Sequence, residues 1–151
     1  MSDQPTDPHS MRMHENAILR VVSKPLIILI LLFALYVQFH GDFGPGGGFQ
    51  AGVIFAAAII LYGLIFGLEE CRKVVPAALV EVGCALGVLL YAGVGIVSLL
   101  LGANYLDYGA LSAHDPSHGQ HLGILLVEAG VGITVTSAMT MIFYMFAGRA
   151  G

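Results

Sequence analysis

Four long stretches of the chain are apolar and almost empty of charge, and that distribution limits its folding more than any other feature. Pro25 to Phe39 and Phe49 to Leu68 contain no Asp, Glu, Lys or Arg, while Ala77 to Leu101 contains only Glu81 and Leu122 to Phe146 only Glu128. A helix needs about 20 apolar residues to cross roughly 30 Å of hydrocarbon. The second block meets that length and the two longer blocks meet it with tilt. The first meets it when extended back to Val21, with Lys24 snorkelling to the headgroups. The blocks are continuously apolar rather than alternating, which predicts helices and not the strands of a membrane barrel. The expected fold is therefore an all-α membrane protein: a tail over 1–20, then a four-helix membrane domain over 21–147 with spans at about 21–39, 49–68, 77–101 and 122–146.

Composition closes off the other classes. Only 11% of the chain is charged and 57% is hydrophobic, against about 25% charged in an ordinary soluble domain. So little charge cannot cover a globule with polar surface, and lipid must solvate much of it. High hydrophobicity excludes a disordered chain. A formal net charge of −4 lacks the basic excess of a nucleic-acid binder. Cys71 and Cys84 are too few for a disulfide framework, and neither is placed for an oxidised bridge.

The six basic residues predict orientation. Arg12, Arg20 and Lys24 precede the first span, Arg72 and Lys73 lie between the second and third, and Arg149 follows the fourth. Segments 40–48 and 102–121 contain no Lys or Arg. The positive-inside rule then puts both termini and the 69–76 loop in the cytoplasm and the other two loops on the opposite face. The basic lead-in lacks a small-x-small cleavage site after its apolar run, so an uncleaved first span is expected rather than a signal peptide. Met1 to Ser10 reads as a disordered tail, and Met11 to Arg20 as a polar lead-in or a short surface helix.

Between the first two spans the chain reads His40-Gly41-Asp42-Phe43-Gly44-Pro45-Gly46-Gly47-Gly48-Phe49-Gln50-Ala51-Gly52. A phosphate cradle does not fit, since the P-loop Lys-Ser/Thr is absent and no strand precedes the glycines. Backbone N–H groups at the start of the second helix can hold a carboxylate or another anion. The stronger reading is structural: glycine lets the chain turn tightly and lets neighbours approach, and Gly44, Gly48 and Gly52 have the spacing of a small-residue helix interface.

The string from Pro45 through Gly46, Gly47, Gly48, Phe49, Gln50 and Ala51 to Gly52, continuing Val53-Ile54-Phe55-Ala56-Ala57 after a first span, resembles the signature of the MnhB-type subunits of the Mrp-type (Mnh-type) multisubunit monovalent cation/proton antiporters. His121-Leu122-Gly123-Ile124-Leu125-Leu126-Val127-Glu128-Ala129-Gly130-Val131-Gly132 is similar to the closing helix of that family. The resemblance runs from about Arg20 to Phe146. It implies a hetero-oligomer with other membrane subunits, monovalent cations and protons as the transported species, and a prokaryotic cell membrane. Related modules occur in membrane-bound hydrogenases and other complex-I-like pumps.

Chemistry alone singles out Glu81 and Glu128. A charge at mid-bilayer costs at least about 2.5–3.5 kcal/mol, so intramembrane carboxylates usually face a protein interior or a water-filled path. Both are ion-path candidates. Both have a competing reading, as charges in the first two turns of their helices near the positive end of the dipole, and Glu81 can also reach toward Arg72 or Lys73. Glu128, with no cationic side chain on its side of the membrane, is the stronger candidate. In the 102–121 loop, His114, His118 and His121 are weak zinc candidates, because their spacing matches no strong motif and Pro116 and Gly119 are expected to break any helix that would present them together.

Three functions follow. The first is a subunit of a cation/proton antiporter, too poor in buried ionisable groups to be a complete antiporter. The second is a purely structural scaffold within such an assembly, and the third is the same module in a redox-driven pump. No nucleophile, base and orienting group stand out together, so the chain is expected to be neither an enzyme nor the holder of a cofactor.

Overall fold

The computed structural model describes residues 8–41, 46–112 and 114–149, with side chains from Asn16 onward except Pro116. Among these are five α-helices: α1 (Pro8–His40), α2 (Gly48–Phe66), the short α3 (Leu68–Val74), α4 (Ala77–Leu100) and α5 (Pro116–Ala147). A single 3-10 turn over Tyr108–Leu111 interrupts the connection from α4 to α5. Asn16–His40, Gly48–Phe66, Ala77–Leu100 and Ser117–Ala147 are long and apolar enough to cross a membrane. Nineteen residues of α2 reach about 28 Å at 1.5 Å each, close to the thickness of the hydrocarbon.

Three elements differ from the sequence expectation. Met11 to Arg20 is not a separate surface helix, because the α1 backbone is helical from Pro8 through Pro25 to His40; the tail residues Met1 to Asp7 lie outside the described residues. Segment 69–76 is largely the helix α3 rather than a loop. Pro116 does not break the last helix but starts it, six residues before the apolar block. Proline is tolerated at N1, where no N–H partner exists to be lost. Asp115, at the N-cap, accepts the Ser117 N–H at 3.0 Å. The Ser117 hydroxyl and N–H hold the Asp115 carboxyl below its ordinary range.

The long helices form a row in the order α1, α2, α5, α4, so that α5 lies between α2 and α4 and α1 meets α5 only sparsely. Hydrocarbon supplies no hydrophobic drive between helices, and close backbone approach through small residues replaces it. On the α2 side, a methyl group at Gly52 would lie 2.8 Å from both the Gly132 carbonyl oxygen and Val135 Cβ. Thr136 Oγ1 donates to the Gly132 carbonyl one turn back (2.7 Å) and lies 3.1 Å from the Gly52 carbonyl across the interface. On the α4 side, a methyl at Gly87 would lie 2.7 Å from the Gly130 carbonyl, and one at Gly130 2.9 Å from that of Gly87. The outer faces of the row are apolar and exposed, as at Leu29 on α1 and Leu89 on α4.

These contacts make glycine substitutions unequal. Gly52→Leu is expected to lower stability in detergent by about 1–3 kcal/mol, the usual cost of overpacking. Gly93→Leu, where nothing lies within 4 Å of the added carbon, is expected to change it little. Denaturant titration of the purified protein checks both.

Candidate functional site

Glu128 lies twelve residues into α5, about 18 Å from the start of that helix. Its own helix terminus is therefore too distant to act on it, since the dipole effect fades within a turn. The helix end beside it belongs to α2. A side-chain carbon at Gly48, the first residue of α2, would collide with the Glu128 backbone carbonyl. A methyl at Gly41 would lie 2.8 Å from each oxygen of the Glu128 carboxylate, and one at Gly47 would lie 3.2 Å from Oε1. Glu128 is half-buried there. The glycine loop and the carboxylate, separate in the sequence reading, form one site because Gly41, Gly47 and Gly48 have no side chains to keep α5 away.

The loop takes a backbone that other residues avoid. Gly46 and Gly47 have φ of 156° and 151°, positions that glycine occupies without steric cost. A methyl at Gly46 would stand 3.3 Å from the Val37 carbonyl of α1. Phe49 and Gln50 are exposed, whereas Gly48 and Gly52 face α5. Pro45 and Gly44 lie outside the described residues.

Glu81 sits at the other ends of the helices, exposed on α4 beside the C-terminal part of α5. It lines a groove of about 200 Å³ together with Arg72, Val80, Met141 and Tyr144. Among the described residues it pairs with neither Arg72 nor Lys73, the two cations of its competing reading. Lys73 pairs with Glu70 at 2.6 Å. Arg72 donates to the Tyr144 carbonyl (3.4 Å) and stacks 5.4 Å above the Tyr144 ring, where the C-terminal carbonyls of α5 favour a cation. The two carboxylates therefore do not share a site.

The histidines do not share one either. His118 Nδ1 lies 3.5 Å from Asp115 Oδ2. Among the described residues no three His, Cys, Asp or Glu side chains come together as metal ligands. His114, His118 and His121 are all exposed.

Two features escaped the sequence reading. Cys71 is fully buried, its Sγ 3.4 Å from Tyr144 Oη and 3.6 Å from the Ile59 carbonyl, while Tyr144 Oη donates to the Val75 carbonyl at 2.7 Å. This cluster fastens α3 to α2 and α5, and nothing in a Cys between two charged residues announces it. The second is Gln38, 9% exposed in the last turns of α1. Its Nε2 is buried without a hydrogen-bond partner among the described residues. The available signal was an amide inside an apolar span.

Comparison with known proteins converges on one family. The family described as "Domain related to MnhB subunit of Na+/H+ antiporter" matches residues 18–141. A protein of Staphylococcus haemolyticus (strain JCSC1435), bearing the name of antiporter subunit mnhB2, is 33% identical over 138 residues, covering 85% of this chain and 97% of that protein. A Staphylococcus aureus (strain Newman) protein of the same name matches with the same identity and coverage.

The Cys71–Tyr144 cluster predicts a paired readout. Tyr144→Phe removes the donor to the Val75 carbonyl and should cost about 1 kcal/mol, the net value of one hydrogen bond. It should also speed Cys71 labelling by a maleimide in detergent, since α3 would then open more often. Unchanged labelling would show that the hydroxyl does not hold α3 closed.

Proposed function

The chain belongs to the family of domains related to the MnhB subunit of Na+/H+ antiporters, and on that premise we propose that it is an integral subunit of a multisubunit monovalent cation/proton antiporter. The machine sits in the cell membrane with both chain termini in the cytoplasm, as the positive-inside rule requires. Na+ or another monovalent cation and H+ are the transported species, and other membrane subunits complete the path.

Glu128 is the ion-path residue of this subunit. The observation that carries this reading is the enclosure of its carboxylate by Gly41 and Gly47 at the start of α2. Two influences meet there. Half-burial at the membrane edge opposes a negative charge, and the positive end of the α2 dipole favours one. A carboxylate held between such influences can exchange a proton or a cation for little free energy, as transport requires. Glu81, exposed on α4 and distant from the glycine loop, serves assembly or positioning instead.

A scaffold without a path residue is the second reading, favoured by the close glycine contacts that join α5 to both neighbours. One experiment separates the two. In inverted vesicles containing the assembled complex, Glu128→Gln should reduce cation-driven proton release to background, whereas Glu81→Gln should leave it near the unaltered level. Gly41→Ala, which pushes on the carboxylate without removing it, should give an intermediate rate. Full exchange by an assembled Glu128→Gln complex would leave the scaffold reading.

A further inference from the structure

Two cations of α1 meet on one aromatic ring at the end of α2. Arg20 and Lys24 are four residues apart, and the Arg20 guanidinium carbon and the Lys24 ammonium each lie 5.9 Å from the centre of the Phe66 ring. Like charges at that spacing on a helix repel one another. No carboxylate among the described residues answers them, because the ion pairs there join Lys73 to Glu70 and His118 to Asp115. Glu69 stays exposed on α3. Arg20 and Lys24 are themselves exposed, so an incoming anion can reach both.

An apolar crevice begins one turn further along the same helices. Arg20, Lys24, Ile27 and Leu31 follow at intervals of four, three and four residues, which puts them on one face of α1. On α2, the Phe66 ring stacks on Tyr62 at 4.6 Å. Ile27, Leu31 and Tyr62 line a crevice of about 130 Å³ together with Ala58 of α2 and with Cys71 and Val74 of α3. Its lining is apolar.

Two cations without counter-ions above an apolar slot complement an amphiphile with an anionic head and a hydrocarbon chain. An acidic peptide would meet the charges and leave the slot empty. An apolar helix face would fill the slot and leave the charges unanswered. We propose that Arg20, Lys24 and this crevice bind an anionic phospholipid, its headgroup on the two cations and part of one acyl chain between Leu31 and Tyr62. The site lies on the side that the positive-inside rule assigns to the cytoplasm, where anionic lipids attract basic residues close to the surface. It does not depend on the antiporter reading.

The test uses the protein purified through a tag on this chain, with whatever subunits accompany it, in phosphatidylcholine vesicles. A trace of phosphatidylglycerol carrying a diazirine in one acyl chain is added and illuminated. Label is expected on peptides that contain Ile27 to Leu31 or Ala58 to Tyr62, and the same probe built on phosphatidylcholine should give background there. Arg20→Gln combined with Lys24→Gln should lower the yield about 25-fold, at about fivefold for each basic residue near an anionic surface. Leu31→Trp, which fills the crevice and keeps both charges, should also lower it. Lys73→Gln, which removes a cation already paired with Glu70, should leave it unchanged. Equal labelling by the two lipids, a yield that survives either the double variant or Leu31→Trp, or an equal loss in Lys73→Gln would each overturn the proposal. A carbodiimide crosslink from Lys24 to a carboxylate of a co-purifying subunit would do the same, since a protein would then occupy the cations.

Discussion

Everything in this protein depends on how closely α5 can approach its two neighbours. In lipid, apolar side chains gain nothing by leaving their solvent, so helices associate through close packing and interhelical hydrogen bonds. Backbone contact at Gly48 and Gly52 on one side and at Gly87 on the other puts α5 at the middle of the row. The threonines of α5 then add hydrogen bonds where the backbones already touch, as Thr136 does to Gly52. Larger residues at these positions would separate the helices and remove both contributions together.

The same approach creates the chemistry. Glu128 lies beyond the reach of its own helix dipole, yet the α2 terminus comes to it because Gly48 has no side chain. A carboxylate of α5, the end of α1 and the start of α2 then share one small volume. At the opposite ends of the helices, a different set of contacts holds α3 by burying Cys71 against Tyr144, with Arg72 set over the ring. That arrangement combines a hydrogen-bonded hydroxyl with a cation at a helix C-terminus, and both are short-range effects. The two ends are thus built by separate local devices on one central helix.

A row of helices is also an unfinished object. A closed bundle would hide one face of each span, whereas here α1 and α4 form the two ends and keep broad apolar faces outward. Lipid satisfies most of that surface. The Gln38 Nε2 is not part of that surface: it lies inside the row, buried without a hydrogen-bond partner among the described residues.

The amino-acid sequence by itself determined the number of spans and the family. Hydropathy is summed along the chain and matched to a slab of fixed thickness, so the second and third long helices end within two residues of the apolar blocks. The Pro45–Gly52 string is equally local. Helix ends set by capping were less legible: Pro116 looks like a breaker until Asp115 is seen capping the turn that it begins. What only the tertiary structure decided was which glycines matter and what they approach. Gly87 meets a backbone and Gly93 meets nothing, although both are glycines on the same helix. The joining of Glu128 to a loop some eighty residues earlier, and the exposure of Glu81, belong to the same class. Pairing between helices depends on which faces meet in three dimensions, and small residues scattered through apolar spans carry no record of their partners along the chain.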